Sequence, residues 1–272
     1  MGGIIAIMGM VVSFSCIVLG IVILGGNPIK FVDPASIMLV VVPTFGSLVA
    51  TYPLNLITKI PAHLKVAFGK PYTAEEHIER ILDFSRISRK EGLLALENEQ
   101  IEEHIMKYAV RLIVDGVSDE RTKHALESHL DGITIRHNEV ISVYEKAAAY
   151  APAFGMCATV ICLIIMLLGL DFTDPNAINN LGINMSAALI TTFYGSVLAN
   201  VIFLPVAARL RLYHKREILC KTIICNGILA ILRGENTNLI GEYLYEQLDK
   251  NARGNSKSKS DDAGGGRSDA AA

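Results

Sequence analysis

Apolar positions in this chain fall into four long runs, separated by polar stretches of very different length. The runs cover residues 3–24, 35–57, 150–170 and 185–208, and none of them contains Asp, Glu, Lys, Arg or His. Each is close to the ~20 residues that a membrane-spanning helix needs. A Gly-Gly-Asn-Pro turn joins the first two runs, and the stretch DFTDPNAINNLGIN connects the last two. The first run has no basic segment ahead of it and stays apolar for longer than the core of a cleavable signal. It is therefore expected to be a retained anchor that begins almost at Met1.

Between the two pairs the pattern changes to that of amphipathic helices. TAEEHIERILDFSRIS places Thr73 and Glu76 at capping-box spacing and follows them with Ile78, Ile81, Leu82 and Phe84 at helical intervals. A second pattern opens near Ser118 with acids in its first turn and carries Leu126, Leu130, Ile133, Val140 and Val143 toward the third run. Only Gly132 interrupts it before Pro152, so one long helix is expected to run into the third span. The fourth span likewise continues through RLRLYHKRE into CKTIICNGILAILRG. The closing stretch NARGNSKSKSDDAGGGRSDAAA has almost nothing to bury and reads as a disordered tail.

The expected fold is all-α: a polytopic inner-membrane protein with four transmembrane helices, two of them extended into a helical cytoplasmic domain. Its segments are a transmembrane hairpin over 1–57, a cytoplasmic domain over 58–149, a second hairpin over 150–208, cytoplasmic helices over 209–250 and the tail over 251–272.

Composition agrees with a membrane protein. Of 272 residues 51% are hydrophobic and 19% are charged, too apolar a balance for an ordinary soluble domain. Of the 25 Lys and Arg, 13 lie between residues 58 and 149 and 11 follow Ala208, leaving Lys30 alone in the outer connections. By the positive-inside rule both large polar regions and both termini are expected on the cytoplasmic side. A net charge of -2 offers no basic patch for nucleic acid. The five cysteines follow neither paired nor metal-ligand spacing and are read as small buried hydrophobes.

Enzyme motifs are absent: the sequence holds no Gly-rich phosphate loop, no HExxH and no CxxC pair, and its seven histidines are read as surface or structural. No catalytic or metal site is assigned. The spans carry hydroxyls at Thr159, Thr191 and Thr192, the phenol of Tyr194 and the amide of Asn200, but no titratable acid. An intramembrane carboxylate that holds a cation would therefore come from another chain.

Pro152 and Pro205 each sit near the cytoplasmic end of an inner span. Prolines are common in membrane helices, and a proline there also removes a backbone hydrogen bond and permits a bend, so both readings stay open. RKEGLLALE puts Arg89 and Lys90 at one end and Glu97, followed by Glu99, at the other. If the segment were helical throughout, Arg89 and Glu97 would stand about 12 Å apart. Such charges form either a solvated face or a docking surface for a complementary charged helix.

Taken together, the RKxGLLALE element, the YAPAFGM start of the third span with Thr159, and TTFYGSxLANxxFxP in the fourth resemble the MotA/PomA stator subunits of the bacterial flagellar motor. The likeness runs from the N-terminus to about Gly234. It implies a homopentamer around a dimer of MotB/PomB-like single-span subunits, whose aspartate takes the ion, in the bacterial inner membrane. It also implies that Pro152 and Pro205 couple ion passage to conformational change. Arg89 and Glu97 would engage the rotor protein FliG, with Lys90 and Glu99 matching extra charges of the sodium-type branch.

Thr159 and Thr192 align with the threonines that line the ion path of sodium-driven members. The translocated ion is H+ or Na+, with sodium favoured, because hydroxyl oxygens suit a cation that sheds water. No other cofactor is implied. The continuation CATVICLII departs from the Gly-rich run of the sodium-type members. The nearest alternative is an ExbB/TolQ-type energiser of an outer-membrane system, whose chains have three spans and lack the N-terminal hairpin. A solute transporter would show more spans or more polar groups within them, and a structural membrane scaffold would show no ion dependence.

Overall fold

A computed structural model describes residues 2–69, 73–170 and 177–248. Ten α-helices occupy these residues: α1 Gly2–Ile23, α2 Pro34–Thr51, α3 Leu54–Ile57, α4 Ile60–Ala67, α5 Glu75–Glu91, α6 His104–Val114, α7 Asp119–Leu168, α8 Ala177–Val197, α9 Leu204–Leu232 and α10 Thr237–Glu246. There is no strand among the described residues. Four helical stretches are long and apolar enough to cross a membrane: Gly3–Ile23, Pro34–Thr51, Asp119–Leu168 and Ala177–Leu232. The all-α, four-span architecture read from the hydropathy pattern is therefore the one observed. The tail over 251–272 lies outside the described residues.

The described residues pack as two units, one of those up to residue 69 with those of 136–213, the other of 73–135 with 214–248. Residues 58–69 and 136–149 thus pack with the spanning helices. In the first unit, α1 ends where Gly25 takes φ 77 and the Gly26 N–H bonds to the Ile21 carbonyl, a glycine-terminated cap that an L side chain would strain. The turn is held to α2 by Asp33, which caps the helix by accepting from the Ser36 N–H at 2.9 Å while Pro34 occupies the first turn. Hydrogen bonding to Ser36 holds the Asp33 carboxyl below its usual range. One face of α2, Ser36, Val40, Thr44 and Leu48, is buried at four-residue spacing. α2 also packs on α8, which begins at Ala177, inside the stretch read as a connecting loop.

In the second unit α5 buries Ile78, Ile81 and Phe84 against α6, α9 and α10. The expected capping box does not form. The cap residue is Ala74, it makes no side-chain cap bond, and the first turn carries Glu75 and Glu76 instead. Acidic groups on the positive end of the helix dipole serve the terminus without a side-chain cap. The long helix expected from Ser118 is present as α7 and runs unbroken through Pro152. Burial raises the thiols of Cys220 to about 11 and of Cys225 to about 12, so both are packing groups, whereas Cys16 and Cys157 are exposed on spanning helices.

Candidate functional site

Within the first unit, α7 and α8 touch backbone to backbone. A Cβ on Gly195 would lie 2.6 Å from the Ala151 carbonyl oxygen and 3.0 Å from Pro152 Cα, and one on Gly155 would lie 3.1 Å from the Thr191 carbonyl oxygen. Small residues at these positions let two membrane helices approach closely, which is the usual basis of helix association in lipid. The contact brings three hydroxyls together.

Thr159 Oγ1 lies 2.9 Å from the Gly155 carbonyl oxygen, 3.0 Å from that of Ala188, 3.1 Å from Thr191 Oγ1 and 2.5 Å from Thr192 Oγ1. Thr191 in turn donates to the Ala188 carbonyl at 2.7 Å. A hydroxyl has one proton to give, so Thr159 donates to one of these oxygens and accepts from a neighbouring hydroxyl. The result is a cluster of oxygens without a formal charge. It can offer ligands to a hard cation but cannot neutralise one. Thr159 and Thr192, paired by the sequence reading, do meet here. Thr191, fully buried, joins them, and no spacing in the sequence singles it out.

The two prolines sit differently. Pro152 lies inside continuous α7, beside Gly195. Pro205 follows a π-helical turn over Leu198–Phe203, where the Leu204 N–H reaches back to the Ala199 carbonyl. A proline in mid-helix lacks a donor and crowds the preceding turn, and the widened turn relieves both problems. Asn200 lies within that turn and donates to the Ser196 carbonyl at 2.9 Å. Tyr194 hydrogen-bonds through its hydroxyl to the Phe31 carbonyl and receives the Asp33 N–H at 3.4 Å, tying α8 to the turn between α1 and α2. Asp33 is also an acid at the end of a span, a position that the apolar-run reading passed over.

In the second unit the RKEGLLALE segment is not one helix. α5 ends at Glu91, Gly92 adopts φ 86, and Leu93–Asn98 forms a 3-10 turn. Arg89 and Lys90 are exposed in the last turn of α5, where positive charge complements the helix dipole. Arg89 also donates from Nη2 to the Gly234 carbonyl at 3.2 Å. Glu97 is exposed, while Glu99 pairs with Arg80 at 3.2 Å. Lys90 and Glu97 make no ion pair among the described residues.

Residues 97–221 match the MotA/TolQ/ExbB proton channel family. The chain is 34% identical over 241 residues to Motility protein A of Treponema phagedenis, covering 87% of this chain and 90% of that one. It is 33% identical over 250 residues to chemotaxis protein PomA of Vibrio alginolyticus, covering 91% and 96%. Its fold is similar to a chain of the flagellar MotAB stator complex from Bacillus subtilis, with a TM-score of 0.82 and 28% identity over 92% of this chain and 97% of that one.

Proposed function

This chain belongs to the MotA/PomA family of flagellar motor stator subunits, multi-pass proteins of the bacterial inner membrane, and from that membership we propose how it converts ion flow into rotation. The supporting observation is the agreement with a MotAB stator chain along nearly the whole length. Five copies surround two single-span MotB/PomB-like subunits, both termini of each copy are cytoplasmic, and the partner's aspartate carries the ion. The spans of this chain supply only neutral oxygens, so a borrowed carboxylate completes the site.

Thr159 and Thr192, with Thr191 behind them, replace part of the hydration shell of a sodium ion as it reaches that aspartate. Pro152 lies against Gly195 next to this cluster, and Pro205 adjoins the widened turn, so both stand where a change in ion occupancy can alter helix packing. One charge moving through 100 mV releases about 2.3 kcal/mol. That free energy biases a two-state step by roughly fifty-fold, enough to make successive steps directional without covalent chemistry. Arg89, Lys90, Glu97 and Glu99 face FliG on the rotor, where charge sets orientation and on-rate.

The test is the swimming speed of a stator-deleted host that expresses this chain with its single-span partner, as external sodium is varied at fixed pH. Speed is expected to rise with sodium, and Thr159→Ala should shift the response to higher sodium. Swimming that ignores sodium would transfer the coupling ion to the proton. No swimming from a correctly assembled complex would reject the stator reading.

A further inference from the structure

We propose that Arg80 is a positioning residue that fixes the 3-10 turn carrying Glu97. The proposal rests on the rotor-facing reading above and goes beyond it, because Arg80 lies outside the RKEGLLALE segment.

Arg80 sits on α5 with its guanidinium 5.1 Å above the ring of Phe84, which is fully buried. From that platform a single nitrogen, Nη2, donates both to Glu99 Oε2 at 3.2 Å and to the Gln100 carbonyl at 2.8 Å. Glu99 is the residue at which the turn ends and the backbone becomes extended. Arg80 therefore ties the far end of the turn back to the middle of α5, while Gly92 and the last residues of α5 hold the near end.

Residues three apart eclipse one another in a 3-10 helix. Leu93 and Leu96 accordingly share the inward edge, with Leu96 fully buried, and Leu94 and Glu97 share the outward edge, with Leu94 69% exposed. Six residues of 3-10 helix have weak hydrogen-bond geometry of their own. The tether adds to the burial of Leu96 and the packing of Ile101 in setting where Glu97 points. Glu99, grouped above with the rotor-facing charges, then acts through Arg80.

A half-exposed ion pair of this kind adds little to global stability, so Arg80→Ala is expected to fold. The experiment uses the full chain with its single-span partner. It measures torque per stator unit on a tethered bead, membrane abundance, and hydrogen exchange of the purified complex. Arg80→Ala and Glu99→Ala should each lower torque per unit severalfold at unchanged abundance. Faster exchange should be confined to residues 93–100. The swap Arg80→Glu with Glu99→Arg should recover part of the torque, because it re-forms the ion pair but not the Gln100 bond or the ring contact, and Arg80→Lys should also keep part of it, since an ammonium cannot lie flat on Phe84 and reach both acceptors.

Wild-type torque in Arg80→Ala, additive losses in the swap, or exchange that rises across the whole unit would overturn the proposal. Should Arg80→Ala fail to reach the membrane, the swap decides alone, by recovering torque or not. Glu97→Lys separates the two levels of the argument. If it leaves torque unchanged, the rotor-facing reading fails; if it abolishes torque while Arg80→Ala does not, only the positioning role fails.

Discussion

Phe84 and Phe14 are the same residue type, each in the interior of a long helix, yet one is completely hidden and the other is 53% exposed. The contrast holds across the two packing units. Around α5 the large apolar side chains are buried, whereas on α1 Ile4, Val11, Leu19 and Ile23 all stand exposed. In water, apolar burial drives helices together. In lipid the surroundings are as apolar as the side chains, and helices associate where small residues permit close contact. The unit of α5 is therefore organised by its large residues, whereas the spanning unit adds close approaches at Gly155 and Gly195 to a core that includes Leu48, Phe203 and Leu210.

Truncating the paired phenylalanines tests this most strongly. Phe84→Ala should destabilise its unit by about 3–5 kcal/mol, the usual range for a buried phenylalanine. Phe14→Ala should cost less than about 0.5 kcal/mol, in keeping with an exposed position. Thermal unfolding of the purified complex, followed by protease sensitivity of each unit, separates the two.

Reversing the experiment, by adding a methyl group, should reverse the ranking. Gly195→Ala drives a Cβ into the Ala151 carbonyl, which is backbone and cannot rotate away. In the other unit, Gly227→Ala meets the Cγ2 branch of fully buried Ile81 at 2.6 Å and Leu244 Cδ1 at 3.1 Å, side-chain atoms that move more readily than backbone, although a β-branched residue in a helix has little rotamer freedom. Gly195→Ala is expected to reduce motility and membrane accumulation clearly. Gly227→Ala should cost less, because overpacking of about 1–3 kcal/mol against side chains is partly offset by about 1 kcal/mol of helix propensity. Equal effects would remove the distinction between backbone-limited and side-chain-limited packing.

Pro152→Ala probes the small-residue contact without adding bulk. It should leave assembly intact, since α7 is already helical through this position. If the proline couples ion passage to helix packing, torque per stator unit will fall by an amount that membrane abundance does not explain. Normal torque would leave Pro152 as one of the prolines that membrane helices simply tolerate.

The smallest expected effect is a dependence on pH. Burial, helped by Lys59, lowers the pKa of His63, while for His214 burial outweighs the opposing charge of Glu217. Both imidazoles therefore bind a proton less readily when folded than in the unfolded chain, whose ordinary value is about 6.5. Their contribution to stability is present above that value and is lost as pH falls through the folded one. His63→Gln should flatten the acid side of the stability profile more than His214→Gln, because Glu217 already offsets part of the shift. Identical profiles for both variants and the parent would reject this source of acid sensitivity.

Much of this protein is legible in its amino-acid sequence. The four spans, the all-helical organisation and the long helix through Pro152 follow from hydropathy and helical period, which are local properties of consecutive residues. The motif residues Thr159 and Thr192 belong with them, because their place in a family pattern is itself sequential. Other features depend on which helix meets which. Thr191 enters the oxygen cluster because α7 and α8 cross at Gly155 and Gly195, and no spacing along one helix announces that crossing.

The break at Gly92 is hidden by charges that look evenly helical, and the capping box expected at Thr73 gives way to a helix that starts at Glu75. Arg80 meets Glu99 across a turn whose geometry is set by the burial of Leu96. Sequence alone determined where the chain is apolar and where its long helices run, since those depend on neighbours in the chain. Tertiary structure alone decided which hydroxyls hydrogen-bond to one another and which charges are tied down, since those depend on packing between residues far apart in sequence.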